Sequence, residues 1–253
     1  MASYLMNLCS RNISTSASIL KNIPNDVKGT SSNAWISRQL NDPYVKWAKM
    51  KNYRARSAFK LLEIDDKHRI LKPGQTVIEC GAAPGAWTQV CVERINSDGR
   101  DANKATGRIL ALDINYFEPV VGAEVFSFMD LMRQDTHEKI KKLLNNDKVH
   151  VVLSDMAPSI AGIRSLDNEV SRQLFYAAFN LSVATLRAGG TLVIKLLGEG
   201  GRKFEDDLFE YFYTVKHVKP PSSRKESPEI YYLARKFKGL KNVAKKDEKN
   251  EIS

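Results

Sequence analysis

The stretch Val77-Ile-Glu-Cys-Gly81-Ala-Ala-Pro84-Gly85-Ala-Trp87-Thr-Gln constrains this chain more than any other. An apolar run leads to a glycine, Gly81 to Gly85 form a tight turn, and Ala86 to Arg94 reads as a helix. Strand, glycine loop and helix in succession present backbone N–H groups to a ligand at a helix N-terminus. The spacing is not the three-glycine dinucleotide fingerprint. It is not a phosphate-binding P-loop either, because no Gly-Lys-Ser/Thr follows. A glycine turn containing Pro84 and followed by an aromatic suits a small cofactor with little phosphate, and S-adenosylmethionine is the first candidate. An ordinary βα turn with no ligand is the alternative.

The rest of the chain supplies the sheet that such a loop needs. Thr76–Cys80, Arg108–Ile114, Glu124–Met129, Val149–Ser154 and Thr191–Leu197 read as strands, and Val215–Val218 and Ile230–Ala234 as a closing pair. Helices are predicted over Asp135–Asn145, over Asp167–Ala188 with Gly189-Gly190 as its cap, and over Lys203–Phe212. Alternating strands and helices predict a mostly parallel α/β sheet with helices on both faces and an antiparallel edge hairpin. Asn96–Gly107 is polar and reads as a flexible loop. No internal repeat is visible.

With 253 residues the chain can form one domain of about 33–236 with extensions at both ends. Its net charge of +10 favours an anionic partner, nucleic acid or a membrane surface. No apolar run approaches the roughly 20 residues of a membrane span. The three cysteines form no CxxC pair and the four histidines are scattered, so no metal site is indicated. Met1 to Asn25 contains no acidic residue and is Ser-rich and weakly amphipathic; residues 1–32 read as a mitochondrial transit peptide or disordered leader. From Arg235 the chain carries seven Lys/Arg against three acidic residues, and 237–253 reads as a disordered basic tail. Ser32–Leu71 reads as helical, broken near Asp42-Pro43. In it Arg54, Arg56 and Lys60 are interleaved with Tyr53 and Phe59, a mixture that can hold phosphates and stack bases. A solvated helix face is the alternative.

Four charged residues do not belong in a core. Lys195 lies inside the strand Leu192-Val-Ile-Lys195-Leu-Leu, and burying it unpaired is costly. Asp155 at the tip of the neighbouring strand and Glu229 entering the last strand are its natural partners. Lys60 on the basic helix can close the group. Asp113, at the carboxyl end of the second strand, is placed to accept hydrogen bonds from ribose hydroxyls.

Taken in order, Tyr53-Arg-Ala-Arg-Ser-Ala-Phe-Lys60, Gly81-Ala-Ala-Pro-Gly85-Ala-Trp87, Leu112-Asp113, Asp130, Ser154-Asp155-Met-Ala-Pro158, Val193-Ile-Lys195 and Ser227-Pro-Glu229-Ile-Tyr resemble the FtsJ-like (RrmJ) ribose 2′-O-methyltransferase family. The resemblance covers roughly Ala34 to Lys236. Trp35-Ile-Ser-Arg-Gln and Asp42-Pro-Tyr-Val-Lys are most similar to its mitochondrial branch. It implies a Rossmann-like class I methyltransferase fold and methylation of a uridine in mitochondrial large-subunit ribosomal RNA. The implied catalytic set is Lys60, Asp155, Lys195 and Glu229. Implied cofactor contacts are Gly81, Pro84, Gly85, Trp87, Asp113, Asp130 and Asp155. Glu79-Cys80 and Ala86 depart from the family pattern, and the Asn96–Gly107 loop is longer than in bacterial members.

The expected reaction is in-line transfer of a methyl group from a sulfonium to a ribose 2′-oxygen, with positioning supplying much of the acceleration. Lys195 is the expected base or hydroxyl-orienting group. RNA is expected to pass over Arg54, Arg56 and Lys60, with Tyr53 or Phe59 stacking a base of an unpaired loop. A 2′-O-methyltransferase acting on transfer RNA remains open, as does an RNA-binding factor in assembly of the mitochondrial large ribosomal subunit. A dinucleotide oxidoreductase is disfavoured by the glycine spacing.

Overall fold

The computed structural model describes residues 41–158, 164–198 and 201–240. The chain divides at Asp42, and the unit before it lies almost wholly outside the described residues. So do the expected leader and most of the expected tail. The account below concerns the unit that begins at Pro43.

Among its described residues, seven strands and six helices follow in the order α1 (Pro43–Met50), α2 (Ala58–His68), β1 (Thr76–Cys80), α3 (Ala86–Ile95), β2 (Arg108–Leu112), β3 (Glu124–Phe126), α4 (Gln134–Leu143), β4 (Val149–Ser154), α5 (Arg164–Thr185), β5 (Leu186–Leu197), α6 (Arg202–Tyr211), β6 (Phe212–Val218) and β7 (Glu229–Phe237). They form one sheet in the order β3-β2-β1-β4-β5-β7-β6. The first five positions are parallel, and β7 runs antiparallel to both of its neighbours. The order reverses between β1 and β4, which opens a crevice beyond their carboxyl ends. Gly81 follows β1 and Asp155 follows β4, so both lie at that crevice.

Period-two alternation sorts the strand residues between two cores. Val77, Ile109, Val151, Leu153, Val193, Tyr231 and Leu233 face α2 and α3. Ile78, Leu110, Val152, Leu192, Ile194 and Tyr232 face α4, α5 and α6. Most of these side chains are fully buried, and each contributes about 1.5–3 kcal/mol relative to exposure. Pro43 opens α1, where its missing N–H would have no helical partner anyway.

Several expectations about element limits are corrected. The basic segment, expected to break near Asp42-Pro43, is broken again by turns at 51–57, which separate α1 from α2. Gly189-Gly190 does not cap a helix, because α5 ends at Thr185 and both glycines lie within β5. There the pairing with β4 shifts register between Val149 and Val151, and Gly189 adopts φ +80°. A Cβ on Gly190 would sit 2.9 Å from the Arg187 carbonyl, so the bulge itself requires glycine. The last strand continues to Phe237, which is buried beside Phe212, so the tail starts later than Arg235. The Asn96–Gly107 loop is organised by Asn96, whose side chain bonds the Asp101 N–H and the carbonyls of Asp101 and Lys104.

Candidate active site

Register brings the catalytic candidates together. Ser154 pairs with Ile194, so Asp155 and Lys195 are the next positions of adjacent parallel strands. Lys195 in turn sits opposite Tyr231 of the antiparallel β7. Asp155, Lys195 and Tyr231 thus form a row across three chain segments. The Lys195 Nζ donates to Asp155 Oδ1 at 2.8 Å and to its backbone carbonyl at 2.5 Å. The Tyr231 hydroxyl donates to the same Oδ1 at 2.6 Å. Glu229, two residues before Tyr231 and on the same strand face, accepts from Lys60 Nζ at 2.7 Å. The Lys60 ammonium lies 5.8 Å from the Tyr231 ring centroid, which links the two pairs. Two lysines and two carboxylates therefore meet in one largely buried cluster.

Opposing influences act on Asp155. Burial alone would raise its pKa, but the charges of Lys195 and Lys60 and hydrogen bonds from Lys195 and Tyr231 hold the carboxyl below its usual range. Burial, then the charges of Asp155 and Glu229, push the Tyr231 phenol well above its ordinary value, so it remains a donor. Sequence reasoning missed Tyr231. The signal was available in the period of two from Glu229, which puts both side chains on one face of the strand.

The α2 region holds this cluster in place from the other side. Lys60 and Glu63, three residues apart on α2, share a helical face, and Arg56 in the turn before the helix reaches the same neighbour. Arg56 donates to the Ser222 carbonyl. Glu63 accepts from the Ser222 N–H at 2.8 Å and from its hydroxyl at 2.7 Å. Lys60 holds Glu229. One face thus docks the β6–β7 connection and sets where β7 begins.

Beside the cluster, a crevice of about 270 Å³ runs above β1, β2 and β4. Its lining includes Gly81 and Ala83, the carboxylates Asp113, Asp130 and Asp155, and the apolar Ile114, Met129 and Leu131. Gly81 takes φ +77°, and a Cβ there would meet Met156 at 2.8 Å. Asp113 accepts the Ala83 N–H at 2.8 Å and the Asn115 N–H at 2.7 Å, so it ties the glycine loop to the end of β2. Asp130 accepts the Met132 N–H at 2.9 Å. The lining carries three carboxylates and no lysine or arginine. Such a crevice repels phosphate and attracts a cation. A sulfonium cofactor with an ammonium group and ribose hydroxyls fits this donor set, whereas a nucleotide phosphate does not.

Other residues expected at the cofactor or the RNA occupy different places. Pro84, Gly85 and Trp87 do not line the crevice. Trp87 is buried; its Nε1–H donates to the Ser57 carbonyl at 2.8 Å and its ring packs 5.8 Å from Tyr231. The Arg54 guanidinium donates to the carbonyls of Pro84 (3.0 Å), Pro119 (2.6 Å) and Glu118. Gly85 has φ +102°, and a Cβ there would lie 2.7 Å from Arg54 Nη1. Arg54 therefore braces the glycine loop, and Gly85 makes room for it. Phe59 is only 8% exposed, and the Tyr53 hydroxyl is bonded to Glu93. Among the described residues no group of three or more His, Cys, Asp or Glu is arranged for a metal, and no helix is long and apolar enough to cross a membrane.

A seven-stranded sheet that closes in an antiparallel pair, with a crevice above β1 and β4, places the molecule among the class I, Rossmann-like methyltransferases. Known proteins narrow this further. Residues 53–237 match the FtsJ-like methyltransferase family. The chain is 46% identical over 222 residues to "rRNA methyltransferase 2, mitochondrial" of Drosophila melanogaster, spanning 87% of this chain and 89% of that protein. It is 42% identical over 210 residues to "Ribosomal RNA large subunit methyltransferase E" of Ruegeria pomeroyi, spanning 83% and 89%. A crystal structure described as a ribosomal RNA methyltransferase of Plasmodium falciparum superposes with a TM-score of 0.64 at 27% identity, covering 74% of this chain and all of that one. The chain belongs to the FtsJ-like methyltransferase family and is an enzyme of methyl transfer.

Proposed function

We propose that this enzyme transfers the methyl group of S-adenosylmethionine to the ribose 2′-oxygen of a uridine in mitochondrial large-subunit ribosomal RNA, within the matrix, in support of ribosome biogenesis. The observation that carries the reading is the convergence of Lys60, Asp155, Lys195 and Glu229 beside a crevice whose lining is acidic and free of basic groups. The names of the fly and bacterial relatives support ribosomal RNA as the substrate, and the fly relative supports the mitochondrion. The acid-free leader agrees with that location.

S-adenosylmethionine, when bound, supplies an electrophilic methyl group on sulfur. Asp113 is placed for the ribose hydroxyls and Asp130 for the adenine end, beside Ile114, Met129 and Leu131. Asp155, held ionised, faces the cationic part of the cofactor and fixes Lys195 Nζ through two hydrogen bonds. The third position on that nitrogen is left for the acceptor 2′-hydroxyl: an N–H there orients the oxygen, and a lone pair there takes its proton as the carbon–oxygen bond forms and the sulfur–carbon bond breaks. Lys60 and Glu229 set the charge and position around that group. Most of the acceleration comes from holding two reactants in line.

The test is Lys195→Ala, assayed for methyl transfer to unmethylated ribosomal RNA and for cofactor binding by calorimetry. Loss of turnover by a thousandfold or more, with cofactor affinity within about threefold of wild type, is expected. Turnover retained in that variant would overturn the assignment.

A further inference from the structure

The three cations that the sequence assigned to RNA are all engaged within the fold: Arg54 at three carbonyls, Arg56 at Ser222 and Lys60 at Glu229. Any further grip on RNA has to come from other residues. We propose that the outer face of α1, centred on Trp47 and rimmed by Lys46, Lys49 and Lys51, is a stacking platform for an unpaired base of the RNA substrate. The base belongs to a nucleotide flanking the methyl acceptor. This rests on the ribosomal RNA reading above and extends it.

Four aromatic rings gather where α1 meets α2, and three of them are already committed. Tyr44 donates to Glu63 at 3.2 Å and lies under the Arg56 guanidinium at 5.5 Å. Tyr53 is bonded to Glu93, and Phe59 is buried. Trp47 remains 47% exposed and its neighbour Met50 80% exposed. The indole is held edge-on by Tyr44 at 5.1 Å and 81°, and by Phe59 at 6.2 Å and 64°. Its orientation is therefore set before any ligand arrives, which lowers the entropic cost of stacking. An open cavity of about 290 Å³ lies between Trp47, Met50, Lys51 and Phe59.

Charge identifies the occupant. Lys46, Lys49 and Lys51 are exposed, and none of their ammonium groups meets a carboxylate among the described residues. An aromatic face surrounded by unpaired cations fits a base with its phosphates better than an apolar protein surface. Phe59, which supports Trp47, is the residue before Lys60, so the platform adjoins the catalytic cluster along α2. Successive helical side chains diverge by about 100°. Phe59 turns towards Trp47 while Lys60 turns towards Glu229, so platform and catalytic cluster lie on different sides of α2, which suits a flanking nucleotide better than the acceptor itself.

The experiment uses the full chain and an unmethylated large-subunit ribosomal RNA fragment made by transcription, with filter binding at several salt concentrations and methyl-transfer kinetics. Trp47→Ala should weaken RNA binding and raise the RNA KM about tenfold, with kcat, cofactor KM and the salt slope unchanged. Trp47→Phe should restore most of the loss. Met50→Glu, at a position too exposed to affect folding, should weaken binding by placing a carboxylate beside the platform. RNA affinity unchanged in Trp47→Ala, while wild type methylates the fragment, overturns the platform alone and leaves the face to a protein partner. A loss that phenylalanine does not restore, or one confined to kcat, also overturns it. Wild type that neither binds nor methylates the RNA overturns both this inference and the substrate reading beneath it.

Discussion

Glu79 offers the sharpest test of how the crevice is built. It is 1% exposed on β1, between the glycine loop and the core. Its Oε2 accepts from the Thr88 hydroxyl at 2.7 Å, while its Oε1 has no hydrogen-bond partner. Burial raises its pKa to about 8; the Thr88 hydrogen bond opposes the rise, and the negative charges of Asp155 and Asp113 reinforce it. The folded protein thus keeps this proton where the unfolded chain, near the ordinary 4.5, has lost it. Stability is complete below the unfolded value and falls as pH rises through the folded one. At about 1.4 kcal/mol per pH unit, the loss between those two values is on the order of 5 kcal/mol. Glu79→Gln preserves shape and the Thr88 contact but has no proton to lose. Urea unfolding of the cofactor-free proteins between pH 5 and 9 should show near-equal stability at the acid end and a widening advantage for the variant towards the alkaline end. The lowered pKa values of His68 and His150 affect both proteins alike and cancel in the difference. Parallel stability curves for the two proteins would refute the argument.

Three further outcomes follow from the geometry. Asp113→Ala removes both the expected ribose acceptor and the anchor of the Ala83 and Asn115 N–H groups, so cofactor affinity measured by calorimetry should fall by tenfold or more. Arg54→Ala frees the glycine loop from the 118–119 carbonyls; cofactor KM should rise and the urea midpoint fall by about 1–3 kcal/mol in stability, with the RNA salt slope unchanged. Tyr231→Phe removes one of the hydrogen bonds that orient Asp155, and kcat should drop about tenfold while cofactor affinity holds.

Much of the fold was legible because strands and helices announce themselves by period. All seven strands were expected, and β1 and β4 match residue for residue. The errors fall where local chemistry and tertiary packing disagree. Gly189-Gly190 carries the composition of a helix cap, yet β4 beside it needs a bulge, and only the sheet register decides that. In the site, Lys195 in an apolar strand demanded a carboxylate, and Asp155 is where adjacency predicts it. The partners of Arg54 and Arg56 were illegible for a different reason. Arginines next to aromatics look alike whether they await a phosphate or a backbone carbonyl, and the carbonyls of Pro84, Pro119 and Ser222 leave no mark in the sequence. Period placed Tyr231 on the strand face of Glu229, but a tyrosine in a strand reads as ordinary core until its hydroxyl is found on Asp155.

The placement of β7 has a consequence for when the enzyme becomes active. It carries Glu229 and Tyr231, and it slots between β5 and a strand that precedes it in the chain. The glycine loop and every lining residue of the acidic crevice precede β5, but the row of Asp155, Lys195 and Tyr231 lacks its third member until the closing strand is inserted. During synthesis from the N-terminus, the crevice-lining residues leave the ribosome before the strand that completes this row. Competence would then arrive late and all at once, with the strand that locks the sheet.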